Sequence, residues 1–573
     1  MTWLFLLTYL ALSILSLELL SKSGWKKLRL LKPWFIAGSL LLLFLLLLAL
    51  KDMGLPPFIS ATLFLSFLAA AGKIKVDYRQ RGFTPKDLLI LREAGSMAGA
   101  LSPKAMQPLL LGLAFSLLLT LAVSAAAALP QLPRGTGMLL FALYLLLLWT
   151  GGPRLQRKTT VYETGCLLYF FLYLHDPVLL EEADKKPEQE ALLPGSFSPS
   201  SLEPQELPHV LVIQSESFFD PTLLGSSFFS KDPLENFHRL EQEGKPFTLA
   251  TRAYGGGTVH TELEVLTALS TAFFPKDTTV FSRYLKKPMP SLGSIFSRNG
   301  YRTALYHPYQ RWYYNRQEAY RLMGFDAFHS RTAFPASPGY LPDSLLQEAL
   351  LQELEQSQEP LFLFAVTMQN HAPYRTSAFS HGVAYQGAAG SPDSKEQFEN
   401  YLQGLRETDI WLGRLTEALR AGKRDTLLFF YGDHLPVINQ DPGFYQGIQW
   451  DLSPFDSHPW HYALSKTPAL LWHRGMKPEG MEKPVLDAIF APGMLLKEAG
   501  VQAPEYFQRL EQLRRDNSLE AFFREFLVAD GLFFTSDMAE YIKISHELAE
   551  ISQDIYYHPD PSWTRVAPDF RIY

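Results

Sequence analysis

Five apolar runs lie within the first 150 residues, at 2–20, 33–50, 57–71, 108–129 and 137–149. Most approach the length of about 17 to 25 residues that takes a helix across the hydrocarbon core of a bilayer. One water-soluble globule has no interior that would surround five such helices, so the expectation is an α-helical transmembrane bundle of about five helices. The first run has no Lys or Arg ahead of it, is interrupted by Glu18 and is succeeded by further runs. It therefore reads as an uncleaved helix rather than a signal peptide.

Charge obeys the same division. Residues 1–160 hold 17 of the 52 Lys and Arg but five of the 58 Asp and Glu, a net of +12 there and −18 in the remainder. A basic, apolar front and an acidic remainder describe a membrane part joined to a water-exposed part. Phosphate backbones require clustered positive charge, so nucleic acid is excluded as a partner of the acidic portion. The single Cys166 excludes an internal disulfide framework and a cysteine-rich metal site.

Charge leaves two orientations open. The basic connections at 22–32, 73–104 and 154–158 belong in the cytoplasm, and five spans would leave the acidic remainder of the chain there too. Residues 161–174 are apolar but about 14 long, short for a crossing, and serve either as a sixth membrane element or as an interfacial helix. The chain thus divides into a transmembrane domain at 1–152, that element within 153–180, and a linker rich in Glu, Lys, Pro and Ser at 181–208. Next come an α/β domain at 209–500 and a helical extension at 501–573 that packs on it.

In the α/β domain, apolar runs at 210–214, 301–306, 361–367, 426–431 and 469–472 alternate with amphipathic stretches at 262–271, 291–298, 315–323, 394–421 and 492–499. This alternation predicts a mainly parallel sheet covered on both faces, with its ligand site beyond the carboxyl ends of the strands. Ligand-type residues stand there: Glu216, His307, His371, and Asp433 with His434. Each alone is more often a cap or a satisfied surface group. Converging from four strand ends, they make an oxygen and nitrogen donor set suited to Mn²⁺, Mg²⁺ or Zn²⁺.

Residues 254–262 read Tyr-Gly-Gly-Gly-Thr-Val-His-Thr-Glu, three glycines ahead of a helix. Glycine lets backbone approach a ligand, and the helix start draws an anion. Thr258 sits at that point. It is either an N-cap, with Thr261 and Glu264 as a capping box, or a nucleophile whose hydroxyl a neighbouring metal activates for attack on phosphorus.

With these residues placed, the chain resembles the lipoteichoic acid synthase family of membrane phosphoglycerol transferases, within the alkaline phosphatase/sulfatase-like superfamily. The likeness covers nearly the whole chain. It rests on Glu216-Ser217-Phe218, Gly257-Thr258 with Glu262 four residues on, Asn315-Arg316, Asn370-His371-Ala372-Pro373 and Gly432-Asp433-His434. The resemblance implies a multi-pass cell-membrane protein whose sulfatase-like catalytic domain lies outside the cell. There Glu216, Thr258, Asp433 and His434 would hold one divalent ion, typically Mn²⁺, with Mg²⁺ or Zn²⁺ as alternatives. It further implies that Thr258 attacks the phosphodiester of phosphatidylglycerol or a related phospholipid, releases diacylglycerol, and passes glycerol phosphate to a glycolipid or polyglycerol-phosphate acceptor. Arg316 and His371 would hold the phosphoglycerol group, with His307 and Tyr314 lining the pocket. A guanidinium suits that task, because it pairs two phosphate oxygens and keeps its charge.

Three positions depart from the family pattern: Tyr309 stands where an acidic residue is usual, Tyr314 where a Trp is usual, and Gly257 where a Lys is often found. They bear on headgroup recognition more than on the metal. The same site would also suit a phosphoethanolamine transferase, a phosphodiesterase or a phosphatase. A sulfatase would need Cys or Ser in a Cys/Ser-X-Pro-X-Arg setting, and the residues after Cys166 are Leu167-Leu168-Tyr169-Phe170. Outside enzymes, the alternative is a membrane-tethered binding protein. Transport would place polar residues inside the apolar runs, where Glu18 stands nearly alone.

Overall fold

The computed structural model describes residues 207–573, with breaks at 275–279, 338, 389–390, 441–443, 449, 451–452, 455–456, 479–483, 558–563 and 567–569, together with Leu139, Ala142 and Leu143, which are helical and exposed. The expected transmembrane bundle, the element at 153–180 and most of the linker lie outside the described residues. Among the described residues no helix is long and apolar enough to cross a membrane. The chain forms two units, Met1–Lys185 and Lys186–Tyr573, and the second contains both sheets.

Its strands, in chain order, are β1 (His209–Ser215), β2 (Lys245–Ala250), β3 (Arg302–Tyr306), β4 (Ala327–His329), β5 (Leu361–Val366), β6 (Thr426–Gly432), β7 (Lys466–Trp472), β8 (Val485–Asp487), β9 (Leu519–Phe522), β10 (Phe526–Ala529), β11 (Leu532–Thr535) and β12 (Arg571–Ile572). Nine form one sheet in the order β12-β4-β3-β5-β1-β6-β7-β2-β8, and β11-β10-β9 form a small antiparallel one. In the large sheet β7 alone runs against its neighbours. The mainly parallel sheet expected from the alternation of strands and helices is therefore present.

Central β1 pairs Val210–Gln214 with Phe362–Val366 on one side and all seven of its residues with Thr426–Gly432 on the other. Such a strand is covered on both faces, which explains its unbroken apolar run. Alternate side chains enter different cores. Val210, Val212, Phe364 and Phe429 pack on one face, and Leu211, Ile213, Leu363 and Phe430 on the other. Each apolar side chain so buried contributes about 1.5–3 kcal/mol.

The main helices are α1 (Glu235–Glu241), α2 (Thr258–Thr267), α3 (Leu292–Arg298), α4 (Arg316–Leu322), α5 (Asp343–Gln356), α6 (Pro392–Ala421), α7 (His458–Leu464), α8 (Ala491–Glu498), α9 (Glu505–Asp516) and α10 (Ala539–Tyr557). Phe237 of α1, Leu350 of α5 and Leu412 of α6 seal one face. Leu263 of α2, Ile295 of α3, Leu322 of α4, Leu495 of α8 and Leu548 of α10 seal the other.

The region after residue 500 corrects an expectation. Glu505–Asp516 and Ala539–Tyr557 are helices, but residues 518–528, expected to be helical, carry β9 and β10, and Arg571–Ile572 adds an edge strand beside β4. Leu519, Phe522 and Phe526 recur at helical intervals. The rings of Phe522 and Phe526 instead suit a hairpin in which Leu527 lies opposite Phe522 and both are buried.

Candidate active site

The carboxyl end of β1 runs into Glu216, and that of neighbouring β6 into Asp433 and His434. Their ligand atoms lie within 4.8 Å of one another, and all three residues are buried. Asp433 Oδ1 accepts the backbone N–H groups of Ser217 and His434, each at 2.8 Å. His434 Nδ1 lies 3.1 Å from the Leu435 carbonyl and donates to it, which turns Nε2 toward the site. Nε2 points between the acids, 3.6 Å from Glu216 Oε1 and 3.4 Å from Asp433 Oδ2.

Glu216 Oε2, Asp433 Oδ2 and His434 Nε2 are buried, and each lacks a hydrogen-bond partner among the described residues. Three orphan acceptors converging on one point fit a divalent cation, which satisfies all of them at once. Burial and the neighbouring Asp433 push Glu216 up to about 8, against the opposing influence of His434, Ser217 and Arg316. A bound cation would remove that penalty.

Thr258 is the first residue of α2 and is buried. Gly257, at φ 93° in the left-handed region, is the N-cap, and no side chain caps the helix. The capping-box alternative is thereby set aside. Glu264 instead pairs with Arg252 at 2.8 Å and accepts the Thr271 backbone N–H, also at 2.8 Å. The first turn of α2 is tied to both strand ends that carry the candidate ligands. The Thr258 carbonyl accepts Gln214 Nε2 at 3.3 Å, and Thr261 Oγ1 donates to the Asp433 carbonyl at 3.0 Å. Gly255 also has a steric reason for its place, since a Cβ there would meet Val437 Cγ2 at 1.9 Å.

Arg316 opens α4 and is 1% exposed. Its Nη2 donates to Glu262 Oε2 at 3.0 Å, Tyr320 donates to the other oxygen of Glu262, and the guanidinium stacks 5.1 Å above the Tyr314 ring. Burial disfavours its charge, but Glu262 and the neighbouring Tyr320 outweigh burial and raise its pKa. Nη1 remains buried without a partner among the described residues, a permanent cation with one donor group to spare. His307, also buried, is held neutral chiefly by burial and then by Arg316. Its Nδ1 has no partner among the described residues. His371 is exposed at the rim, its ring 4.8 Å from that of Tyr340.

Sequence reasoning did not assign Glu262, Tyr320 or Tyr340 a role here. The first two had a signal: Thr258 and Glu262, like Arg316 and Tyr320, stand four residues apart and so share a helix face. Tyr340 had none, because it comes from a loop beyond β4.

A mainly parallel sheet with a buried carboxylate and histidine set at the carboxyl ends of its central strands agrees with the sulfatase class of the alkaline phosphatase/sulfatase-like superfamily. The chain belongs to the sulfatase family, whose profile matches residues 208–501. It is 32% identical over 307 residues to a Rhizobium meliloti protein named for cyclic beta-1,2-glucan modification, a match covering 52% of this chain and 47% of that one. A capsular polysaccharide biosynthesis protein of the same organism, RkpI, is 29% identical over 246 residues, 41% of this chain and 42% of the relative. Lipoteichoic acid synthases are also among the curated relatives. The chain spans about half the length of the first curated relatives it matches. Among solved structures, the phosphoglycerol transferase GacH of Streptococcus pyogenes in complex with sn-glycerol-1-phosphate superposes with a TM-score of 0.50 at 19% identity, covering 66% of this chain and 90% of that one.

Proposed function

We propose that this protein is a metal-dependent phosphoglycerol transferase, anchored in the cell membrane by residues 1–152, with its catalytic domain outside the cell. Phosphatidylglycerol is the donor and a glycan hydroxyl the acceptor. The observation that carries this reading is the set of three buried orphan acceptors on Glu216, Asp433 and His434, with the first turn of α2 tied to the same strand ends. Together with Thr258 these residues would hold one divalent ion, with Mn²⁺ as our choice. When bound, the ion supplies charge that lowers the pKa of a neighbouring hydroxyl and offsets charge developing on phosphate oxygens.

The chain's own residues do the rest. Arg316, its charge preserved by Glu262, offers its free Nη1 donors to a phosphate oxygen, and His371 meets the headgroup from the rim. Neutral His307 offers its Nδ1 lone pair to a glycerol hydroxyl. In the first half-reaction the Thr258 Oγ–P bond forms and the P–O bond to diacylglycerol breaks, the threonine proton ending on the diacylglycerol hydroxyl. In the second, the acceptor oxygen takes the phosphorus and its proton returns to Thr258. The relatives named for glucan modification and capsular polysaccharide support a glycan acceptor.

The test is diacylglycerol release from labelled phosphatidylglycerol by the detergent-purified full chain, with and without Mn²⁺, for wild type and Thr258→Ala. Metal-dependent release that disappears in the alanine variant is expected. A folded wild-type protein that releases diacylglycerol from phosphatidylethanolamine but not from phosphatidylglycerol would transfer the reading to phosphoethanolamine, and release from neither would reject transfer from these donors.

A further inference from the structure

Between the end of β3 and α4, residues 309–314 read Tyr-Gln-Arg-Trp-Tyr-Tyr. Trp312 is 45% exposed, unusual for so large an apolar ring. From it an aromatic surface runs back to the site. Tyr313 lies 5.2 Å from Tyr309, Tyr309 lies 6.2 Å from Tyr340, and Tyr340 lies 4.8 Å from His371, ring centre to ring centre. The segment is fixed by its backbone: Tyr313 donates to Gln310, Asn315 to Trp312, Gln317 to Arg311 and Arg331 to Tyr309, at 2.9–3.1 Å. Tyr314 and Asn315 are both held at positive φ, 57° and 60°. That conformation costs a non-glycine residue about 1–2 kcal/mol, and it persists only where the surroundings impose it.

We propose that Trp312, Tyr313, Tyr309 and Tyr340 form the acceptor subsite, a platform in which a neutral sugar ring stacks on the exposed face of Trp312 while the tyrosines, inclined to it and to one another by 48–82°, meet the sugar's edge and direct one hydroxyl at the site; this rests on the phosphotransfer reading and names the class of its second substrate. Flat aromatic faces match the C–H faces of a sugar ring, and tyrosine hydroxyls, Gln310 and Arg311 match its edge. An anionic polyglycerol-phosphate acceptor would require a row of cations. Within 309–314 there is one, Arg311, while nearby Arg331 donates to the carbonyls of Phe334 and Pro335. A loop that enters the hydrocarbon of a bilayer pairs its aromatic rings with Leu or Ile, and 309–314 contains no Leu, Ile, Val or Met; Trp and Tyr also suit the bilayer interface, which the vesicle arm of the experiment distinguishes.

The experiment uses the full chain in detergent with phosphatidylglycerol, Mn²⁺ and cyclic beta-1,2-glucan as the acceptor probe. Trp312→Ala is expected to raise the KM for the glucan about tenfold, with Trp312→Phe close to wild type and the KM for phosphatidylglycerol unchanged in both. An unchanged glucan KM in both Trp312→Ala and Tyr313→Ala overturns the proposal. So does an unchanged glucan KM accompanied by lost sedimentation with phosphatidylglycerol vesicles, which would assign the rim to the bilayer. Should the wild type release no diacylglycerol, the phosphotransfer reading fails on its own. The rim is then tested by calorimetric titration of glucan into Thr258→Ala protein with and without Trp312→Ala. Binding that depends on Trp312 sustains the platform, and equal or absent binding rejects it.

Discussion

Glu216 and Asp433 are two carboxylates held close together out of water, an arrangement that costs stability unless a cation or proton intervenes. Asp433→Asn separates the two roles of that residue. The amide oxygen still accepts the Ser217 and His434 N–H groups that Oδ1 now takes. We expect Mn²⁺ affinity to fall by at least about 100-fold while the metal-free melting temperature does not fall. Calorimetric titration and thermal melts in chelator measure both, and a metal-free melting temperature several degrees lower would show that the pair serves the fold rather than the ion. A second residue-scale expectation concerns the turn after Glu216. His238 contacts Asp232 at 2.8 Å and Asp220 at 3.4 Å, and Asp220 in turn accepts the Thr222 N–H. Burial opposes its charge, but the two carboxylates prevail and place His238 at about 9 against an ordinary 6.5. Because the folded value is the higher one, the stabilisation is complete below the unfolded value and is lost as pH climbs through about 9. On the order of 1–3 kcal/mol at neutral pH is expected, so the melting temperatures of wild type and His238→Gln should differ most near about pH 6 and converge near about pH 10.

At the scale of the element, the site depends on how closely β1 and β6 approach at their ends. Gly432 closes β6 opposite Ser215, and a Cβ there would meet the Phe218 carbonyl oxygen at 2.2 Å. Gly432→Ala must therefore push the turn carrying Glu216 away from Asp433. Stability should drop by about 1–3 kcal/mol and Mn²⁺ binding should weaken with it, whereas a variant with both unchanged would show that this approach is not what assembles the site. The same strands explain what the sequence disclosed. Fully buried parallel strands are apolar throughout, so β1, β3, β5 and β6 were legible, and so were the polar residues just beyond them. Other strands hid for physical reasons. Pro246 interrupts the pattern of β2, while β4 and β8 have three residues each, too few to show a period. The hold of Glu262 on Arg316 and Tyr320, across 54 and 58 residues, was not legible, because sequence spacing shows a shared face only within one helix.

Across the whole unit, the candidate metal ligands follow the ends of central strands while the rim depends on an edge. His307 donates its N–H to the His329 carbonyl, and Arg331 donates to Tyr309, so the loop carrying the aromatic rim hangs on β4 and the residues just after it. That strand is in turn held by β12: Arg571 donates to Asp326, Tyr573 to Phe328, and Ser330 to the Tyr573 carbonyl. The His329 ring lies between those of Tyr306 and Tyr573, at 4.2 and 4.7 Å. Removing residues 571–573 uncovers the β4 edge and takes away one side of that stack. The melting temperature should fall by about 2–4 °C and aggregation on storage should rise, since an unpaired edge recruits other chains. Function should change unevenly. Mn²⁺ affinity should hold, because β1 and β6 lie three or more strands away from the lost edge in the order β12-β4-β3-β5-β1-β6. The KM for phosphatidylglycerol should rise as the loop from His307 to Arg316 loosens. Equal losses in metal affinity and donor KM would instead mean that the edge strand supports the sheet as a whole, with no particular tie to the rim.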